Sequence, residues 1–393
     1  MGLTAYLDKG ASLGRDAPCL TLDGVSLSYG DVQEFSHAVA RALARSGVRA
    51  GDKVAILSGN DARAFACVFG IARRGAVWCP INPRNTMAEN REMLALFDCV
   101  ALLYARSYAE IVEGLELPTL VCLDELDAWL GARGDVESTG FADAPPDDTV
   151  IVVGTGGTTG RPKGVVLTDR NIETMTALTL MGYPFGTSPR GTAQGARPVF
   201  LAMAPLTHAA GVLCFPVMAL GGEIVVMAKP DLDAFLALVE RHRVTHTFLP
   251  PTLIYMLLAH EKLAVTDLSS LQCFWYGAAP MSAERLEQAL ISIGPVMAQL
   301  FGQVEAPMMI SMLPPSEHFR ADGSVARERL SSAGRPAPLV SVGIMADDGT
   351  LLPPGERGEI VVRSSLVMAG YYKNPEATAE ASRHGWHHTG DIG

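Results

Sequence analysis

Between Gly154 and Val165 the chain reads G-T-G-G-T-T-G-R-P-K-G-V, directly after the apolar run Thr149 to Val153. Its first ten positions hold four glycines, three threonines and one lysine. Glycine lets a backbone turn its N–H groups inward, the threonine hydroxyls add donors, and Lys163 adds positive charge. That combination can grip an anion, and phosphate suits it. Three kinds of loop share the composition. A Walker loop needs G-x-x-x-x-G-K-[ST] running into a helix; here Pro162 precedes the lysine, Gly164 follows it, and Val165-Val166-Leu167 continues as a strand, which excludes that reading. A dinucleotide fingerprint drawn from Gly154, Gly156 and Gly160 has the spacing G-x-G-x-x-x-G, and Arg161-Pro162 spoils the helix that should receive the pyrophosphate. It leaves a nicotinamide oxidoreductase as a remote alternative. A plain glycine-rich hairpin explains the glycines but not the threonines and lysine in the same turn.

Other reactive side chains follow in order. His208 stands at a helix start in Pro205-Leu206-Thr207-His208-Ala209-Ala210-Gly211, where a histidine alone is more often a cap than a catalyst. Trp275-Tyr276-Gly277-Ala278-Ala279-Pro280 ends a strand, and small residues at the carboxyl end of a sheet strand let a flat base approach the backbone. Phe301-Gly302-Gln303-Val304-Glu305 offers a ring and a carboxylate able to hold Mg²⁺. Gly385-Trp386-His387-His388-Thr389-Gly390-Asp391 ends in an aspartate whose two oxygens can accept from two ribose hydroxyls. Neighbouring histidines in an extended segment point apart, so His387 and His388 make a poor metal pair.

Taken in this order from residue 154 almost to the end, the motifs resemble the large N-terminal domain of the adenylate-forming (AMP-binding) superfamily, which includes acyl-CoA synthetases, aryl-CoA ligases, luciferases and peptide-synthetase adenylation domains. The loop at 155–164 is similar to T-S-G-T-T-G-x-P-K-G, with Gly156 in place of the serine. The resemblance implies that Thr155, Gly157, Thr158, Thr159, Gly160 and Lys163 hold ATP phosphates. It makes Gly277, Ala278, Ala279 and Pro280 the adenine wall, with Phe301 stacked on the base beside Gly302 and Asp391 on the ribose. Glu305 and Thr158 then hold Mg²⁺, and Lys163, His208 and Glu305 are the catalytic set. His208, Ala209, Gly211, Val212, Trp275, Tyr276, Leu300 and Met308 become the acyl pocket. Two departures stand out: Gly156, and Val304 where the family's Y-G-x-T-E has threonine. Ser332 to Pro336 and Gly355 to Ile360 are similar to the family's third-subdomain signatures and read as structural.

The implied activity is that of an acid-thiol ligase. A carboxylate attacks the α-phosphorus of ATP and releases pyrophosphate, and the acyl group then passes to coenzyme A. Peptide-synthetase domains carry an aspartate for the substrate's ammonium; none lies between His208 and Leu220, which disfavours an amino acid. The apolar lining favours a hydrophobic acid, fatty or aromatic, since burial gains roughly 0.8 kcal/mol per methylene. The family's T-G-D motif is followed by a hinge and a small C-terminal domain with a catalytic lysine; the chain ends at Gly393, so weak activity or none is expected of it alone. A non-catalytic adenylate-binding module is the other alternative.

Composition sets outer bounds. At 393 residues, 48% hydrophobic and 19% charged, the chain is globular and large enough for several subdomains. A net charge of −11 argues against nucleic acid as a partner. The seven cysteines form no C-x-x-C pair and read as reduced core residues. With no signal-peptide pattern and no long apolar run to span a membrane, a soluble, cytoplasmic protein is expected; a homodimer is allowed.

The elements that must position these groups alternate in type. A hairpin turns at Asp23-Gly24, and a helix runs from Asp31 towards Gly47. Strands at 53–57, 76–80, 100–104 and 119–123 alternate with helices at 60–74 and 86–97, the latter opened by the capping box Thr86-x-x-Glu89. A Gly-, Asp- and Pro-rich connection spans 131–148. A second alternation runs from helix 170–181 to strand 295–299, with a polar loop at 182–195. Beyond Leu330 come short strands and turns. The expected architecture is α/β: a doubly wound N-terminal subdomain (1–148), a doubly wound ATP- and acyl-binding subdomain (149–330), and a small β subdomain (331–393), an antiparallel barrel-like form or a sheet.

Overall fold

The alternating runs fold as parallel strands joined by helices. The computed structural model describes residues 2–131, 145, 147–155, 162–185, 197–207 and 209–393, the side chain of Ala209 excepted. Gly157, Thr158, Thr159, Gly160 and His208 lie outside the described residues, as do most of the connection at 131–148 and of the loop at 182–195. The chain forms two compact units, Met1–Asp169 with Ala202–Pro230, and Arg170–Leu201 with Asp231–Gly393. The segment 149–330 therefore contributes to both.

In the first unit, Thr119–Cys122, Cys99–Tyr104, Lys53–Leu57, Val77–Ile81 and Thr149–Thr155 lie side by side in parallel, and Lys163–Thr168 adds antiparallel to the last. All five residues of Val77–Ile81 are buried, as befits a strand covered on both faces. The turn at Asp23-Gly24 has φ of +49° and +79°, the left-handed pair of a type I′ hairpin. Thr86 and Glu89 form the expected capping box on helix Met87–Leu96. A second box, Ser28 with Asp31, starts the next helix at Tyr29, two residues before the expected start. Helix Thr4–Leu13 has little sequence signature because its buried face is only Tyr6, Leu7 and Gly10.

In the second unit, Val199–Ala202, His246–Leu249, Cys273–Tyr276 and Met297–Phe301 are parallel neighbours, and Ser311–Leu313 and Arg335–Pro336 extend them antiparallel. Gly334 makes that last step feasible: a Cβ there would lie 2.0 Å from the Met312 carbonyl oxygen. Ser341–Met345, Glu359–Arg363 and His387–Ile392 form an antiparallel sheet with Glu359–Arg363 in the centre. Among the described residues this sheet is open, so of the two forms expected of the C-terminal segment, barrel or sheet, it is the sheet. Three strands are too few to close a barrel, and helix Pro375–Ala381, capped by Asn374, takes up chain that a further strand would need.

All seven cysteines are unpaired thiols, six of them buried. Among the described residues no helix is long and apolar enough to cross a membrane.

Candidate active site

The first unit carries the anion-gripping stretch as a hairpin. Val153 pairs with Val165, Gly154 with Gly164 and Thr155 with Lys163, so the backbone ladder sets Thr155 and the lysine opposite one another at the ends of two adjacent strands. The flanking glycines serve packing. A Cβ on Gly154 would stand 2.8 Å from Met93 Sδ, and one on Gly164 2.6 Å from the Phe97 ring. Gly154 is thus required by its neighbours rather than by an anion.

The segment before His208 is also held within this unit. Asn60 Nδ2 donates to the Ala204 carbonyl at 3.1 Å, and Leu206 N donates to Asn60 Oδ1 at 2.8 Å. Gly211 sits so close to this segment that a Cβ would lie 2.0 Å from the Leu206 oxygen. Val212, next along helix Ala209–Ala219, is half-buried. Beside Thr207 opens a cavity of about 250 Å³, its mouth included, lined by Ser58, Asp61, Phe65, Trp78 and Leu206 among others.

The second unit carries the strand ends. Trp275 and Tyr276 are consecutive in a strand and therefore point to opposite faces. Trp275 is fully buried, with its ring centroid 5.2 Å from His246 and 5.8 Å from Tyr183, and its Nε1 has no hydrogen-bond partner among the described residues. Tyr276 shares a hydrogen bond with His318 Nε2 at 2.9 Å. The two rings cannot line one wall. Burial pushes His246 and His318 down to about 4, so both imidazoles are neutral.

Beyond the strand, Gly277 is buried, and a Cβ there would lie 2.3 Å from the Leu300 oxygen. Ala278, Ala279 and Pro280 are exposed, and Ala278 holds φ of +62°, a left-handed backbone that alanine adopts only under strain. Phe301 is half-buried, while Leu300 and Met308 are buried. Gly302 packs so tightly that a Cβ would come within 2.4 Å of Met308 N.

Around Glu305 and Asp391 the same unit builds a polar cluster. Tyr371 Oη donates to Glu305 Oε1 at 2.9 Å. Burial first, then the negative charge of Glu305, raises the Tyr371 phenol, which keeps its proton and stays a donor. Gln303 Nε2 donates to the Thr389 carbonyl at 2.6 Å and to Asp391 Oδ2 at 3.0 Å. Two acceptors on that nitrogen fix the amide orientation, so its oxygen accepts from His387 Nε2 at 3.3 Å. Burial lowers His387, which favours its neutral ring.

His388, on the opposite face of the strand, meets Glu359 Oε2 at 2.7 Å, and Gly390 N donates to Glu359 Oε1 at 2.9 Å. Burial works to raise the Glu359 carboxyl, but these hydrogen bonds prevail and hold it below the ordinary glutamate value. The adjacent histidines thus go to different partners. Gln303, Tyr371 and Glu359 were not singled out from sequence. Gln303 sits inside the motif that holds Phe301 and Glu305, and a long amide between them was the available signal.

Among known proteins, the family described as AMP-binding enzyme matches residues 7–372. A feruloyl-CoA synthase of Amycolatopsis sp is 33% identical over 401 residues, covering 100% of this chain and 76% of that protein. A medium/long-chain-fatty-acid–CoA ligase of Mycobacterium tuberculosis is 31% identical over 395 residues, covering 96% of this chain. The chain spans 66% of that ligase's length. The solved structure of an amide bond synthetase from Marinactinospora thermotolerans superposes with a TM-score of 0.84 at 31% identity, covering 100% of this chain and 76% of that one. The chain belongs to the AMP-binding enzyme family.

Proposed function

We propose that this chain is the nucleotide- and acid-binding part of an AMP-forming ligase that activates a hydrophobic carboxylic acid, fatty or aromatic, as its acyl-adenylate. In the whole enzyme the acyl group then passes to coenzyme A. The observation that carries the reading is the ordered set of motifs, each on the element it needs: a hairpin tip for Thr155 and Lys163, a strand end for Gly277 to Pro280, and a strand for Asp391.

Lys163 and Thr155, with Gly157, Thr158, Thr159 and Gly160, bind the phosphates, where a charge-assisted hydrogen bond contributes about 1.5 to 3 kcal/mol. Ala278 to Pro280 and Phe301 flank the adenine, and Asp391 accepts from the ribose. Gly277 and Gly302 keep the two strand ends close enough for this. His208, Ala209, Gly211 and Val212 are the candidates for the acid, as are Trp275, Leu300 and Met308; Tyr276 is tied to His318 and supports its strand instead.

The residues present fit a magnesium ion. Glu305 has one oxygen held by Tyr371, and its Oε2 has no hydrogen bond among the described residues, which suits an ion that takes one carboxylate and otherwise waters and phosphates. Glu305 and Thr158 would hold it, and its chemistry there is neutralisation of phosphate charge. The likeness to an amide bond synthetase favours a second reading for the final step alone, with an amine in place of the thiol.

Calorimetric titration with non-hydrolysable acyl-sulfamoyl adenosines tests the reading. Aliphatic and aryl analogues are expected to bind more tightly than acetyl or aminoacyl ones. Equal affinity across the panel, or preference for an aminoacyl group, overturns the assignment of the acid.

A further inference from the structure

We propose that Gln303 is a positioning residue for the nucleotide's ribose, acting through Asp391. The inference rests on the reading of Asp391 as the ribose acceptor and adds what makes that carboxylate selective. His387 and Asp391 belong to one strand whose pairing is irregular between His388 and Ile392, with Gly390 at φ +74°, and the Gln303 side chain reaches both. Its two N–H groups and its carbonyl all engage the segment 387–391. Asp391 Oδ2 is thereby occupied, and Asp391 N is anchored on Thr389 Oγ1 at 3.1 Å. Asp391 Oδ1 has no partner among the described residues, and the carboxylate is exposed. A carboxylate on an exposed strand otherwise rotates among its rotamers. Pinned through one oxygen, it presents the other in a fixed direction, which is what discrimination between a hydroxyl and its absence requires.

The test compares binding of ATP, 2′-deoxy-ATP and 3′-deoxy-ATP to the chain and to Gln303→Met, which keeps the size but loses the three hydrogen bonds. The unaltered chain is expected to prefer ATP over at least one deoxy analogue by about tenfold or more, the scale of one hydrogen bond to a charged group. In Gln303→Met that preference should fall to about threefold or less, with ATP itself weakened and the deoxy analogues little changed. Gln303→Glu, which sets a second negative charge against Asp391, should lose the preference more completely and gives the answer should the methionine variant not fold. A residue that merely ties down the strand would weaken all three nucleotides equally. An unchanged ratio in a folded variant therefore overturns the proposal. If the unaltered chain binds ATP without preferring the ribose hydroxyls, the reading of Asp391 fails and the proposal with it.

Discussion

The strand pair at 149–168 and the cluster around Gln303 are positioned in different ways. At 149–168 a backbone ladder pairs Thr155 with Lys163, and neighbouring side chains demand that Gly154 and Gly164 stay small. At 303–391 side chains do the holding, and they come from positions 84 to 88 residues apart in sequence. A backbone-built site should tolerate side-chain changes apart from the group that meets the ligand. A side-chain-built site should respond to each member in turn.

The largest effect expected comes from the point where backbone also governs the second region. Gly302→Ala forces a Cβ against the Met308 backbone and should cost about 3 kcal/mol or more, read by urea denaturation. A cost under about 1 kcal/mol would mean that this turn relaxes freely and is not a fixed support.

Acid probes the buried histidines beside Trp275 and Tyr276 next. Folding keeps protons off His246 and His318, whose folded values lie near 4 against an ordinary 6.5. The unfolded chain binds more protons between those values, so stability is full above about 6.5 and falls as pH drops towards about 4, by up to about 3 kcal/mol for each ring. Urea midpoints from pH 7 to pH 4.5 should follow that slope, and His246→Phe should flatten part of it. A flat profile would contradict neutral burial of these rings.

Lys163→Met should weaken ATP about 10- to 100-fold while leaving AMP nearly unchanged, because the lysine's charge serves the phosphates beyond the first. Equal loss for AMP would show that the lysine shapes the loop. The smallest effect is Tyr371→Phe. It frees Glu305 Oε1 and should raise the Mg²⁺ concentration needed for tight ATP binding by about fivefold, the scale of one neutral donor, without changing nucleotide preference.

How much of this was legible in the sequence follows the same division. Runs such as Val77–Ile81, the Asp23-Gly24 turn and the Thr86–Glu89 box are local, and local pattern dictates them. The hairpin was legible for that reason, since Val165-Val166-Leu167 announces a returning strand. Pairings across long separations left no trace. Nothing near Gln303 points to His387, nothing near Glu305 points to Tyr371, and His318 gave no sign of claiming Tyr276. The alternation rule did foretell that His387 and His388 would face apart, because that depends only on strand geometry. Whether the C-terminal strands close into a barrel or stay an open sheet was not legible, because short strands between turns are common to both.

The central claim is that the chain is built to hold an adenylate, and it is tested most directly by thermal melting with a hydrophobic acyl-sulfamoyl adenosine and with NAD side by side. At about a hundred times its dissociation constant, a ligand specific to the folded chain adds about 2.7 kcal/mol. A clear upward shift with the adenylate and none with NAD is the expected result. A shift with NAD and none with the adenylate would contradict the claim and return the stretch at 154–165 to the dinucleotide reading.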